Sequence, residues 1–181
     1  MSNKTKNSIF IATSLDGYIA DKNGGIDYLH SLPNPTGDDM GYTKFTSEID
    51  AIIMGRTTFQ TVLAFDIEWP YTVPVFVLSN TLTEIPDSHK GRAYLARGPL
   101  NEVLTGINEQ DFNHLYIDGG KTIQSFLQED LIDEMIITTI PILLGGGFSL
   151  FGALTNPLSY KCVESTVLPN TAVQSRFVRM R

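Results

Sequence analysis

"AIIMGRTTFQ", residues 51–60, is apolar for four residues, breaks on Gly55, and continues through Arg56, Thr57 and Thr58 before Phe59. An apolar run this short reads as a strand covered on both faces, as in parallel sheets. Residues 56–65 carry helical spacing, so the stretch is a strand, a glycine and a helix start. The glycine serves a tight turn, or it lets a ligand approach the backbone. An arginine at a helix start opposes the helix dipole, and a bound phosphate would offset that cost because the guanidinium pairs with it bidentately.

The same rhythm runs through most of the chain. Residues 8–14, 51–54, 73–79, 92–96 and 114–118 read as strands, and 38–49, 56–65, 100–108 and 121–130 as helices. Ile123, Phe126 and Leu127 fall at i, i+3 and i+4, an apolar stripe for a sheet face. The tail is different, with strand-like runs at 133–145, 160–168 and 173–180 and a Pro169-Asn170 turn. Together these predict an α/β fold in one domain spanning 1–181. Its central sheet is mostly parallel, with antiparallel C-terminal strands at one edge and helices on both faces. Residues 21–37 form one long irregular segment, a common carrier of function.

Composition narrows the function. With 42% hydrophobic and 18% charged residues the chain is globular, and its net charge of -7 disfavours nucleic acid or an anionic membrane as partner. No apolar run approaches a membrane-spanning length, and the N-terminal apolar run is too short for a signal peptide. The single cysteine, Cys162, allows no intrachain disulfide and fits a reducing cytoplasm. One cysteine with only His30, His89 and His114 predicts no Cys/His metal site, and the histidines form no recognisable triad.

No Rossmann or phosphate-loop glycine fingerprint is present. Two other strand ends nevertheless have phosphate-binding character. "YIDGGKTIQSFL" (116–127) places two glycines before a helix opening with Lys121 and Thr122, and "VLSN" (77–80) ends on Ser79 and Asn80. Each alone suits an ordinary turn. Together with Gly55-Arg56-Thr57 they gather at the carboxyl ends of strands, where open α/β sheets bind ligands.

With "IATSLDGYIA", "GGIDYL" (24–29), "DAIIMGRTTF" (50–59), "WPY" (69–71), "VFVLSN" (75–80), "YIDGGKTIQSFL" and "PILLGGGFSLFG" (141–152), nearly the whole chain resembles the dihydrofolate reductase-like superfamily. Within it, the chain is most similar to the reductase domain of bacterial riboflavin biosynthesis, the RibD C-terminal type. The resemblance implies NADPH bound without a Rossmann motif, and a heterocyclic small-molecule substrate. It implies that the Ala12 backbone meets the nicotinamide carboxamide, with Asp16, Gly17 and Tyr18 in the loop that closes over the ring. Gly55, Arg56 and Thr57 would hold the diphosphate and 2′-phosphate, with Leu78, Ser79 and Asn80 beside the latter. Gly119, Gly120, Lys121 and Thr122 would wrap the diphosphate from the other side.

The substrate side is less defined. True dihydrofolate reductases carry a pocket acid on the first helix, whose matching position here falls near Gly41-Tyr42. Asp38 and Asp39 lie a turn earlier and also suit a plain helix cap. Asp27 and Tyr42 are the substrate-side candidates, and the proton could come from water, Asp16, Asp27 or Asp39. Trp69-Pro70-Tyr71 reads as a packed loop. The expected activity is reduction of a 5-amino-6-(5-phosphoribosylamino)uracil-type substrate. Dihydrofolate reduction and a noncatalytic nucleotide-binding sensor are the alternatives. Domains of the riboflavin type pair, and the antiparallel tail offers edge strands, so a homodimer is expected.

Overall fold

The computed structural model describes residues 5–65 and 67–181; the first part of the basic N-terminal stretch, residues 1–4, lies outside them. Ten strands and four α-helices follow in the order β1 (Lys6–Ser14), β2 (Tyr18–Ala20), α1 (Tyr42–Thr46), β3 (Ala51–Gly55), α2 (Arg56–Ala64), β4 (Val75–Leu78), β5 (Ala93–Ala96), α3 (Leu100–Asn108), β6 (His114–Asp118), α4 (Gly120–Gln128), β7 (Glu134–Ile140), β8 (Phe148–Ser149), β9 (Tyr160–Val167) and β10 (Val173–Arg179). Short 3₁₀ turns occupy Asp27–His30 and Asp87–His89. The main sheet has eight strands in the order β5-β4-β3-β6-β1-β7-β10-β9. Neighbours from β5 to β7 run parallel, and β10 and β9 are antiparallel, as the change of pattern in the tail predicts. The two-residue β8 pairs with β2 in a separate small sheet that the sequence pattern does not announce.

The strands are apolar on both faces because both faces are covered near the middle of the sheet. On one face Leu100, Val103, Leu104 and Ile107 of α3 and Ile123, Phe126 and Leu127 of α4 pack on Ile9, Ile53, Leu115 and Ile117. On the other, Phe45 and Phe59 from α1 and α2 pack on Ile52, Met54, Val75, Val77 and Tyr116. The chain leaves β3 toward one edge of the sheet and leaves β6 toward the other. Right-handed crossovers in opposite directions put α2 and α4 on opposite faces.

The expected helix over 38–49 shrinks to the single turn of α1. Asp38 and Asp39 bind local backbone instead, with Asp38 Oδ1 accepting from Met40 N at 2.8 Å and Asp39 Oδ1 from Gly41 N at 2.9 Å. Met40 and Gly41 are both in the left-handed region, which interrupts a helix. The expected strand over 133–145 stops at Ile140, before Pro141, which has no N–H to contribute to the ladder.

Phe126 is fully buried in the α4–sheet layer. Its replacement by alanine is expected to cost about 3–5 kcal/mol, read as a lowered midpoint in chemical denaturation with an unchanged denaturant slope.

Candidate active site

The carboxyl ends of the parallel strands form one rim, and its centre lies where β3 and β6 send their helices to opposite faces. The two strand-to-helix turns interlock there. A Cβ on Gly55 would stand 2.9 Å from Thr122 Oγ1, and a Cβ on Gly119, at φ +90°, would collide with the Thr58 hydroxyl. The glycines therefore have a packing reason independent of any ligand: only a bare backbone lets the turns come this close. Both helices begin with no side-chain cap and no acid in the first turn. Their leading N–H groups and positive dipole ends face the crevice as ready anion donors.

The polar residues expected around an anion fall on its two sides. At the β3–β4 side, the Arg56 guanidinium donates to Thr81 Oγ1 at 2.8 Å, and Ser79 Oγ accepts from the amides of Thr81 (3.2 Å) and Leu82 (2.9 Å). Thr57 and Asn80 are exposed beside them, and Leu78 ends β4. At the β6 side, Gly119, Gly120 and the exposed Lys121 open α4. Thr122 is instead buried, with its hydroxyl against Gly55.

A second opening adjoins this rim. The β1–β6 ladder stops at Ser8↔Tyr116, although β6 goes on pairing with β3 as far as Asp118. Two tyrosine hydroxyls bind β1 carbonyls beyond that point. Tyr116 donates to Phe10 O at 3.0 Å, and Tyr28, from the irregular 21–37 segment, reaches Ala12 O at 3.3 Å and Tyr18 O at 3.1 Å. Gly17 (φ +84°) turns the chain after β1, its N–H bound to Ser14 O and its own carbonyl taking the Leu150 amide. Tyr18 N donates to Ser14 Oγ at 2.9 Å.

Four acids now have distinct environments. Asp16 accepts from Ser14 Oγ (2.6 Å) and from the amides of Leu144 (3.1 Å) and Gly145 (2.8 Å), tying the turn after β1 to the glycine loop before β8. The Ser14 hydrogen bond leads in holding its pKa below the usual carboxylate value. Asp39 accepts from Thr43 N at 2.8 Å as well as Gly41, and the Thr43 side chain, followed by these amides, lowers its pKa at an exposed helix start. Both carboxylates are held ionised, which suits binding backbone and not donating a proton. Asp27 is exposed in the first turn of its 3₁₀ segment.

The fourth, Asp118, is the residue that sequence reasoning passed over. It ends β6 and keeps some open surface, but the protein around it strips most of its water. Burial raises its pKa to about 6, against partial relief from the Gly119 amide at 2.8 Å and the nearby Tyr116 hydroxyl. Its charge also acts on Tyr42 and Tyr71, whose hydroxyls burial pushes up, that of Tyr42 to about 12. A group that titrates near neutrality at the end of a central strand is a general acid–base candidate. The signal was present in the sequence, as an acid closing an otherwise apolar strand immediately before two glycines. Among the described residues no cluster of His, Cys, Asp or Glu is placed to hold a metal.

The crevice, the open helix starts and the split between β1 and β6 together make up the candidate site. Residues 8–173 match the RibD C-terminal domain model, and the chain belongs to that family of NAD(P)H-dependent reductases. It is 33% identical over 182 residues to the uncharacterized protein YwjB of Bacillus subtilis, covering 96% of this chain and 98% of that one. A crystal structure from Shewanella sp. PV-4, provisionally named a riboflavin biosynthesis protein, is 52% identical with a TM-score of 0.95, covering 97% of this chain and 99% of the other. Dihydrofolate reductase from Enterococcus faecalis, solved with NADP(H), superposes with a TM-score of 0.63 at 13% identity, covering 97% of each chain, a likeness of fold alone.

The raised Asp118 pKa carries a stability prediction. In the unfolded chain this carboxyl loses its proton near 3.8, and in the fold near 6. Its stabilising contribution is therefore present below about pH 4 and lost as pH rises through about 6. Asp118→Asn is expected to match the parent in stability near pH 4 and to exceed it by about 1–3 kcal/mol at pH 8, measured by denaturant titration at both pH values.

Proposed function

We propose that this chain is an NADPH-dependent reductase that passes hydride to a heterocyclic small molecule. The observation that carries the reading is the pairing of two uncapped helix starts across one crevice, beside a carboxylate that titrates near neutrality. NADPH, when bound, supplies the hydride. The residues present fit it. The first turns of α2 and α4 offer amide donors to a diphosphate, and Arg56 with Ser79 suits the 2′-phosphate that distinguishes NADPH from NADH. The Ala12 carbonyl on the split edge of β1 is placed for an amide donor, and Asp118 with Tyr42 would hold or move the substrate's proton.

A substrate of the 5-amino-6-(5-phosphoribosylamino)uracil type is the reading closest to the family. Dihydrofolate has less support, because Gly41-Tyr42 stands where the folate enzymes need a pocket acid, and Asp39 nearby spends both oxygens on an exposed helix start. A reducing cytoplasm is the compartment we propose; among the described residues no helix is long and apolar enough to cross a membrane.

NADPH titration followed by cofactor or Trp69 fluorescence is expected to saturate well below millimolar. Arg56→Ala should weaken NADPH about tenfold, or about 1.4 kcal/mol, while leaving NADH nearly unchanged. No saturation up to millimolar NADPH would overturn the reading. Binding without cofactor oxidation across a panel of pterins and ribosylaminopyrimidines would favour a sensor instead.

Self-pairing is also proposed. β9 is an edge strand exposed along most of its length, with Val163 and Val167 open on it, and an uncovered edge of that kind seeks a partner. Sedimentation at micromolar protein is expected to show a dimer, and Val163→Lys to shift it toward monomer.

A further inference from the structure

Tyr28 lies within the GGIDYL stretch but has no role assigned above, yet it joins β1 to β2 beside the proposed nicotinamide pocket. Its ring is buried against Ile140 and Ala172, with Ala12, Leu29 and Leu32 around them, so the hydroxyl cannot swing to solvent. Burial also pushes that hydroxyl's pKa up to about 12, which keeps its proton in place at neutral pH. The single O–H faces two carbonyl acceptors on different elements, Ala12 O on β1 at 3.3 Å and Tyr18 O on β2 at 3.1 Å. Both distances exceed the usual 2.7–2.8 Å for an O–H···O bond. One proton cannot satisfy two acceptors, so the present arrangement is a compromise between them.

We propose that Tyr28 is a positioning residue that couples occupancy of the Ala12 carbonyl to closure of the turn at residues 14–18. The inference rests on the NADPH reading, since the competitor at Ala12 is an amide N–H of the bound ligand. A second donor at the Ala12 carbonyl makes it a poorer acceptor for Tyr28, and the Tyr28 proton shifts toward Tyr18 O. The bond to Tyr18 shortens and draws β2 toward β1. Tyr18 is already tied to Ser14 through its amide, and Asp16 in the same turn holds the Leu144–Gly145 loop. Tightening at Tyr18 therefore reaches both segments that border the pocket.

Tyr28→Phe removes one oxygen and keeps the ring packing. NADPH is compared with 2′-phospho-ADP-ribose, the same nucleotide without its nicotinamide. The variant is expected to bind NADPH about three- to tenfold more weakly and the truncated nucleotide within about twofold of the parent. In the parent chain, hydrogen exchange at the Gly17 and Tyr18 amides is expected to slow more with NADPH than with the truncated nucleotide, and the variant to lose that difference. Equal weakening of both ligands would reduce Tyr28 to a structural residue and overturn the proposal. So would unchanged NADPH affinity, or equal slowing by both ligands in the parent. Any of these three results with NADPH still bound by the parent leaves the reductase reading standing. A parent that binds neither nucleotide sinks both.

Discussion

The handedness of two crossovers organises this molecule. β3 and β6 are hydrogen-bonded neighbours, but the chain leaves one toward β4 and the other toward β7. With both connections right-handed, α2 and α4 must lie on opposite faces, and no helix covers the rim between their starts. The crevice follows from topology before any side chain is considered. The glycines then decide how close its walls come. Gly55 sits against the Thr122 hydroxyl and Gly119 against that of Thr58, so each turn is shaped by the other.

Electrostatics divides labour among carboxylates that look alike in the sequence. Asp16 and Asp39 have the side chains of Ser14 and Thr43, and then backbone amides, directed at them, and those hydrogen bonds favour the ionised form. Asp118 has lost water to the tyrosines and the sheet around it, with one amide in return, and desolvation prevails. The first two hold loops in place, while burial raises the Asp118 pKa to about 6. Elsewhere the fold uses charge for register: the buried Glu134 on β7 pairs with Lys6 of β1 and Arg176 of β10, pinning three adjacent strands.

Much of the fold was legible residue by residue. The helix over 100–108 and the strand over 114–118 match their expected ranges, because apolar periodicity there agrees with what the sheet buries. The segment over 38–49 did not follow its helical spacing. Asp38 and Asp39 found nearer partners in the backbone, and local hydrogen bonds outweighed a weak periodic signal. β2 and β8 were invisible for another reason, since a two- or three-residue pairing has no periodicity to read. In the site, the polar strand ends at Arg56, Ser79 and Lys121 were named from the sequence, whereas Asp118 and Tyr28 were not.

The chain's own order of residues determined the α/β class, the switch to an antiparallel tail and the three strand ends able to meet an anion, because these depend on local periodicity and residue type. The tertiary structure decided which acid is desolvated, which glycines are needed for packing, and that β1 and β6 separate beyond Ser8 and Tyr116. Those properties depend on partners far apart in the chain, such as Phe10 with Tyr116 and Ala12 with Tyr28. A carboxylate's environment or a carbonyl's donor is a fact about neighbours in space, and only folding brings those neighbours together.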